Sequence, residues 1–413
     1  MWEYEGSYQR ILDHELADVP YRIAATVITE KLAAMGIPVG EEERENLFRH
    51  LKDDAGDSFS FDDGMGNERT EVRITAADLA RIDGRLDTFM TEGVSAIVDD
   101  VGDKASELIL ASLRESWALE QERQLLERDG FRDRLHGRWG EGIDLLRMLL
   151  TVSREFGDLV NTTLRRCEQT ESPVLCDVLL RLHARACQVT DEIICLLAEG
   201  FSDGAMARWR TLHEIAAVAL FLRHHGELVA QRYVDHEAVE SARAVRDYDE
   251  CREKLGYERM SDAELAATRR RHAELVAKYG ADFDRQYGWA ADALGLKDPK
   301  FRDIREDAGI DHMRAHYRLA SHNVHANPKG VLFKLGLLGD TDLLLAGPSN
   351  AGMSDPGQNA GISLTQVSSA LGAVAPTLDT IIVLRILNRV TQQTCEAFHE
   401  ASVRLACEAA EEM

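Results

Sequence analysis

Residues 172–200, SPVLCDVLLRLHARACQVTDEIICLLAEG, carry the clearest structural pattern in the chain. Their apolar side chains recur at steps of three and four residues, at Leu175, Val178, Leu179, Leu182, Ala186, Val189, Ile193 and Leu197. This spacing lines up one side of an α-helix, because an α-helix completes a turn about every 3.6 residues. The stretch therefore predicts a helix with one buried face.

The residues that follow predict a second helix packed against the first. Glu199-Gly200 ends the first helix, and the apolar pattern resumes at Ala205 with Trp209 on the buried side. Two helices joined by a short turn containing glycine form an antiparallel pair. The remaining sequence has only 8 prolines in 413 residues and is dominated by residues that favour helix. We therefore expect an all-α fold, a multi-helix bundle.

Residues 331–346 are the one segment that fits a small β-hairpin. Two apolar runs, 331–335 and 343–345, flank Gly339-Asp340, a pair that suits a tight turn. A helix also fits this segment, so both alternatives stay open.

The length favours more than one domain, and three regions differ in composition. Residues 1–74 are an N-terminal helical region with an acidic loop of clustered Asp and Gly after residue 53. Residues 75–170 are a long-helix region, which Thr75 and Asp78 begin as an N-cap hydroxyl and a carboxylate three residues later. Residues 171–413 are the helical-bundle core domain, which carries the candidate site.

The net charge of −24 excludes some partners. A protein that grips DNA non-specifically presents a basic field, so we expect no non-specific DNA binding. The same charge disfavours anionic membrane surfaces, and no run of about 18 apolar residues predicts a membrane span. The 7 cysteines are scattered without C-x-x-C spacing, and Met1 to Glu5 does not begin a signal peptide. These features predict a cytoplasmic protein.

The stretch from Asp311 to His325 is the one concentrated patch of candidate chemistry. A helix over residues 310–325 would have a core face of Ile310, Met313, Tyr317, Ala320 and Val324. Its polar stripe would comprise Asp311, Arg314, Arg318, His322 and His325. Residues 301–335 carry six Arg or Lys against four acids, a local charge of +2 in an acidic chain. Arg318 and His325 are seven residues apart, which is about 20° around a helix axis.

This combination suits RNA cleavage without a metal. Histidine can act as base or acid near neutral pH, and arginine stays charged and matches phosphate with two parallel donors. The bland alternative is a solvated polar helix face. Arg210 and Glu214 also permit two interpretations, a helix salt bridge or a pair lining a cleft. We predict no metal and no cofactor, because no established metal-binding or nucleotide-binding motif occurs.

From about residue 172 to 389 the chain resembles a large group of uncharacterised bacterial all-helical proteins. The resemblance rests on the motifs Glu199-Gly200, Ala205-x-x-Arg208-x-Arg210-Thr211-Leu212-His213-Glu214, Tyr287-Gly288-Trp289-Ala290, Tyr317-Arg318-x-x-Ser321-x-x-Val324-His325-Ala326 and Gly347-Pro348-Ser349-Asn350-x-Gly352. It implies the helical fold and no activity.

The spacing of Arg318 and His325 is also similar to the motif of HEPN (higher eukaryotes and prokaryotes nucleotide-binding) domains. That motif is an Arg, four to six residues and a His. The resemblance implies a helical bundle, often dimeric, and a metal-independent ribonuclease of toxin or phage-defence systems. Those nucleases usually have a polar residue directly after the Arg, where this chain has Leu319.

The sequence therefore favours a HEPN-like ribonuclease that cleaves RNA in a bacterial stress or phage-defence setting, as a homo-oligomer. The catalytic candidates are Arg318, His325 and His322, and the substrate-binding candidates are Asn323, Arg314, Tyr317, Arg210 and Glu214. The alternative is a non-catalytic helical module that binds a partner protein or small ligand, with the Arg, His and Glu residues structural.

Overall fold

The computed structural model describes residues 7–56, 58–60, 72–166, 171–325, 327–338 and 343–411. Its α-helices are α1 Ser7–Ala34, α2 Glu41–Lys52, α3 Ala76–Thr88, α4 Val94–Arg166, α5 Pro173–Ala198, α6 Ser202–His225, α7 Glu227–Asp235, α8 Glu237–Leu255, α9 Asp262–Tyr279, α10 Ala291–Leu294, α11 Phe301–Asp307, α12 Arg314–Val324, α13 Pro328–Leu332, α14 Ser354–Gly372 and α15 Leu378–Glu411. Short 3-10 turns at Ala281–Asp284, Gly288–Ala290 and Asp311–Met313 and a π-helical turn at Phe89–Gly93 complete them. The all-α prediction is confirmed.

The chain divides into two compact units, residues 1–123 and 124–413, and α4 contributes to both. The boundary falls inside the region that the sequence assigned to long helices. The division of the sequence into residues 1–74, 75–170 and 171–413 stays a prediction.

In the first unit, α1 packs against α2 and α3 around a small core of Ala25, Leu47 and Phe48. The predicted helix start at Thr75 is confirmed, since the Thr75 side chain accepts a hydrogen bond from the backbone N–H of Asp78. Lys31 of α1 forms an ion pair with Asp78 at 2.5 Å, which ties α3 to α1. Much of the predicted acidic loop, residue 57 and residues 61–71, lies outside the described residues.

The second unit is built on the predicted pair of α5 and α6. These two helices pack against each other, and α14 packs against both of them and against α15. The predicted stripe of α5 is buried in the core, with only Leu182 half-buried. Trp209 of α6 is fully buried and donates its indole N–H to Asn359 O and Ser363 Oγ of α14, both at 3.0 Å. The same core includes the part of α4 from Leu135 to Val160.

The segment proposed as a β-hairpin contains no strand in its described residues. Val331 and Leu332 end the short helix α13 instead, because Pro328 begins it and the Asn327 side chain caps it by accepting from the backbone N–H of Gly330. Leu344, in the second apolar run, is 94% exposed and has no strand partner among the described residues. The proposed turn at Gly339-Asp340 lies outside the described residues.

Among the described helices, none is both long enough and apolar enough to cross a lipid bilayer.

Candidate functional site

The candidate helix is shorter at both ends than the sequence predicts. Asp311 lies in a 3-10 turn, α12 starts at Arg314, and it ends at Val324. His325 follows in extended conformation, with φ −109° and ψ 139°. Ile310, Met313 and Ala320 are buried as the core face requires, whereas Val324 is 50% exposed. Arg314, Arg318 and His322 therefore lie on one side of α12, whereas the position of His325 does not follow from the helical repeat.

Two of the predicted catalytic side chains face solvent without a partner. Arg318 and His325 are both exposed, and neither side chain has a hydrogen bond or ion pair within the described part of the chain. Arg314 is also exposed, with Nη1 at 3.7 Å from Asp311 Oδ2. Arg318 can therefore hold a phosphate without first breaking an ion pair within the described residues.

His322 is half-buried, and its contacts fix which ring nitrogen carries the proton. The backbone N–H of Gly330 donates to Asn327 Oδ1 at 2.9 Å, so the Asn327 amide nitrogen must be the atom 2.9 Å from His322 Nδ1. An amide nitrogen can only donate, which makes Nδ1 the acceptor. The neutral imidazole of His322 therefore carries its proton on Nε2, where it can donate to a ligand.

Gly330 brings α13 against the last turn of α12. A Cβ at this position would lie 2.0 Å from the carbonyl oxygen of His322 and 3.3 Å from that of His325. No side chain fits in that space, so glycine allows the two backbones to approach. This close approach positions the segment that carries both histidines.

The other predicted residues form a separate, internally paired group. Glu214 Oε1 accepts hydrogen bonds from Arg210 Nε at 3.1 Å and from the Tyr317 hydroxyl at 2.6 Å. The Arg210 guanidinium also lies 5.0 Å from the centre of the Tyr317 ring. Burial, with the Glu214 hydrogen bond, raises the pKa of Tyr317 to about 12, which keeps the hydroxyl protonated as a donor.

Arg305 extends this group, and the sequence interpretation missed its role. Its side chain is buried and donates to Asp311 Oδ1 from Nε at 3.1 Å and from Nη2 at 2.8 Å. Its guanidinium lies 5.5 Å from the centre of the Tyr317 ring. We call Arg210, Glu214, Arg305, Asp311 and Tyr317 the interlocked group. Arg305 and Asp311 lie in different elements, so no helical spacing links them in the sequence.

Beneath the interlocked group lies a histidine with no hydrogen-bond partner. His213 is fully buried, and neither of its ring nitrogens has a partner among the described residues. Its ring packs against Trp209 and Tyr317, with centroids 5.1 and 5.7 Å away. Burial, aided by nearby positive charges, lowers the pKa of His213 to about 4. The amide nitrogen of Asn323, predicted to bind substrate, is likewise buried without a partner.

Seven of the eight predicted site residues thus separate into two sets, and Asn323 belongs to neither. Arg314, Arg318, His322 and His325 form what we call the basic face, which is available to a ligand. Arg210, Glu214 and Tyr317 are engaged with one another in the interlocked group. Arg318 and His325 are exposed and are not buried with Glu214.

Comparison with known proteins supports part of the resemblance. Residues 177–341 match DUF5677, a family of unknown function. This match runs from α5 to beyond α13 and contains both the basic face and the interlocked group. No curated protein and no solved structure matches the chain.

Proposed function

We propose that the basic face is the active site of a metal-independent ribonuclease. The observation that carries this proposal is that Arg318 and His325 are exposed and have no partner among the described residues, while Arg210 and Arg305 in the same unit are held by carboxylates. The chain has a net charge of −24, so exposed arginine side chains near two histidines stand out as a suitable site for phosphate.

The residues of the basic face suit the cleavage reaction in which the 2′-hydroxyl of the RNA attacks the adjacent phosphate. A base removes the 2′-OH proton as that oxygen attacks phosphorus, and an acid protonates the leaving 5′-oxygen. Arg318 binds the phosphate and stabilises the added negative charge of the transition state. His325 acts as base or acid. His322 assists as a hydrogen-bond donor through Nε2, because the Asn327 contact places its proton on that nitrogen.

The biological setting follows from the HEPN resemblance. We propose a cytoplasmic enzyme of bacterial stress or phage defence that acts as a homo-oligomer, with the basic faces of two copies completing one site. The acidic bulk repels RNA that is not docked, so only an RNA that reaches the basic face is cleaved.

A non-catalytic binding module is the second candidate, and the interlocked group favours it. Arg210, Glu214 and Tyr317 satisfy one another at a contact between α6 and α12, as structural residues do. In this alternative the basic face binds an acidic partner or ligand without turnover.

Alanine variants of the basic face separate the two candidates. We expect the purified full-length protein to cleave RNA in the presence of EDTA, measured on single-stranded, transfer and total bacterial RNA. His325→Ala and Arg318→Ala should each lower the cleavage rate by about 10²-fold or more, because acid–base catalysis and charge stabilisation contribute on that order. Circular dichroism and the unfolding temperature verify that each variant is folded.

Matched controls come from α15, where Arg389 and His399 are similarly exposed. Arg389→Ala and His399→Ala should cleave at the wild-type rate. Full activity in folded His325→Ala would sink the ribonuclease proposal. So would a wild-type protein that cleaves none of these RNAs, and retained RNA binding in that case would favour the binding module.

A further inference from the structure

A second group of chemistry-bearing side chains lies at the ends of α6 and α11. His224 and His225 are the last two residues of α6, and Asp307 is the last residue of α11. His225 Nε2 lies 2.9 Å from Asp307 Oδ1, and His224 Nδ1 lies 3.4 Å from the same oxygen. One ligand atom from each residue lies within 4.8 Å of the other two.

The charge of Asp307 is poorly balanced without a cation. No Lys or Arg within the described residues pairs with its carboxylate, whose polar side-chain contacts are the two imidazoles. The carboxylate also sits at a helix C-terminus, where unpaired carbonyl groups disfavour another negative charge. An imidazole N–H that donates to the carboxylate, or a metal ion between the three groups, would stabilise this charge.

The distances between these groups are close to those of a metal site. Zinc binds imidazole nitrogen and carboxylate oxygen at about 2.0–2.2 Å, so tetrahedral ligand atoms lie about 3.3–3.6 Å from one another. The separation of His224 Nδ1 from Asp307 Oδ1, 3.4 Å, falls in that range, and the separation of His225 Nε2 from the same oxygen, 2.9 Å, is shorter. A hydrogen bond from His225 accounts for one imidazole at the carboxylate, and an ion would account for the approach of both imidazoles to the same oxygen.

We propose that His224, His225 and Asp307 bind one divalent transition-metal ion of the zinc type. Two imidazoles and one carboxylate select zinc, cobalt or nickel over magnesium and calcium, which prefer all-oxygen sites. Three protein ligands leave one position open to water. The ion joins the C-terminal end of α6 to the C-terminal end of α11. Helix α6 carries Arg210 and Glu214, and α11 carries Arg305. This metal is separate from the proposed cleavage, which needs none.

Metal titration of the full-length protein tests this site. The tag-free protein is dialysed against EDTA and then against buffer, and ZnCl₂ is titrated by calorimetry and CoCl₂ by visible absorption. We expect one equivalent to bind, with a higher unfolding temperature in ZnCl₂. His225→Ala and Asp307→Asn should each weaken this binding at least about tenfold, because each removes a direct ligand.

His399→Ala, at an exposed histidine of α15, serves as the matched control and should bind zinc like wild type. The metal site would be overturned if no zinc bound when ZnCl₂ and protein are present at equal concentrations. Equal zinc binding by Asp307→Asn and wild type would also overturn it. EDTA-resistant RNA cleavage is measured on the same samples. The two proposals therefore succeed or fail independently.

Discussion

At the scale of single residues, the second unit contains two histidines held uncharged by burial. His213 has no hydrogen-bond partner among the described residues, and His183 lies 3.2 Å from Ser368 Oγ through Nε2. Burial is the main cause that lowers the pKa of each to about 4. Both rings are uncharged at neutral pH, and protonation in the folded state would place a positive charge in the core.

These two histidines predict a loss of stability in mild acid. An unfolded chain binds a proton on each histidine near pH 6.5, whereas the folded protein does so only near pH 4. The free energy of unfolding therefore falls as pH decreases through that window, by up to about 3 kcal/mol for each histidine. Chemical denaturation at several pH values between 7 and 4 measures this slope.

His213→Leu isolates one contribution. Leucine fills a similar volume and cannot bind a proton, so its slope between pH 6.5 and 4 should be smaller than that of wild type. His399→Ala should leave the slope unchanged, because His399 is exposed. An identical slope in His213→Leu and wild type would contradict this account of the buried ring.

At the scale of elements, the end of α12 and the start of α13 together arrange the basic face. The Asn327 side chain links the two, because its oxygen caps α13 and its amide nitrogen donates to His322 Nδ1. Gly330 allows the contact between their backbones. The position of His325 therefore depends on this junction and not on helical continuation.

Gly330→Ala tests the junction. The added methyl group would meet the backbone oxygen of His322, which cannot rotate away, so α13 must move. We expect a loss of about 1–3 kcal/mol of stability and, if the basic face is catalytic, a fall in RNA cleavage of about 10²-fold. Denaturant unfolding and the cleavage assay provide the two readouts.

Gly137→Ala is the matched control, because Gly137 lies inside α4 and nothing lies within 4 Å of an added Cβ. This substitution should raise stability by about 0.5–1 kcal/mol, since alanine favours a helix more than glycine does. If Gly330→Ala were as stable and as active as Gly137→Ala, the junction would have no such role.

At the scale of the whole molecule, the two units have separate cores. The first unit buries a small cluster around Leu47 and Phe48, and the second buries the large cluster that includes Trp139, Trp209 and Phe398. The part of α4 between Leu135 and Val160 belongs to the second cluster. A fragment of the second unit therefore needs that part of α4 to bury its apolar surface.

Two fragments test this requirement. Residues 124–413 should fold and unfold cooperatively without the first unit, because they keep the whole second cluster. Residues 171–413, the core domain that the sequence predicts, lose side chains such as Trp139, Leu146 and Phe156, and should not fold stably. Circular dichroism and thermal melting of both fragments measure the difference. A cooperative, equally stable 171–413 fragment would show that α4 is dispensable.

Patterns between near neighbours in the sequence predicted several helices and the character of their faces. The stripe of α5, the start of α3 at Thr75 and the buried residues Met313 and Ala320 follow from spacing and capping between near neighbours. Such interactions span only a few residues, so a short stretch of sequence is enough to predict them.

Neither the pairing of the polar residues nor the end of α12 follows from the spacing of residues along the chain. Glu214 and Tyr317 are 103 residues apart, and their hydrogen bond depends on how α12 packs against α6. His325 lies outside the helix, at the point where α13 contacts the end of α12 through Gly330. The hydrophobic periodicity of the sequence does not predict this contact. Packing between α6 and α12 thus joins Arg210 and Glu214 to Tyr317, while Arg318 and His325 are exposed.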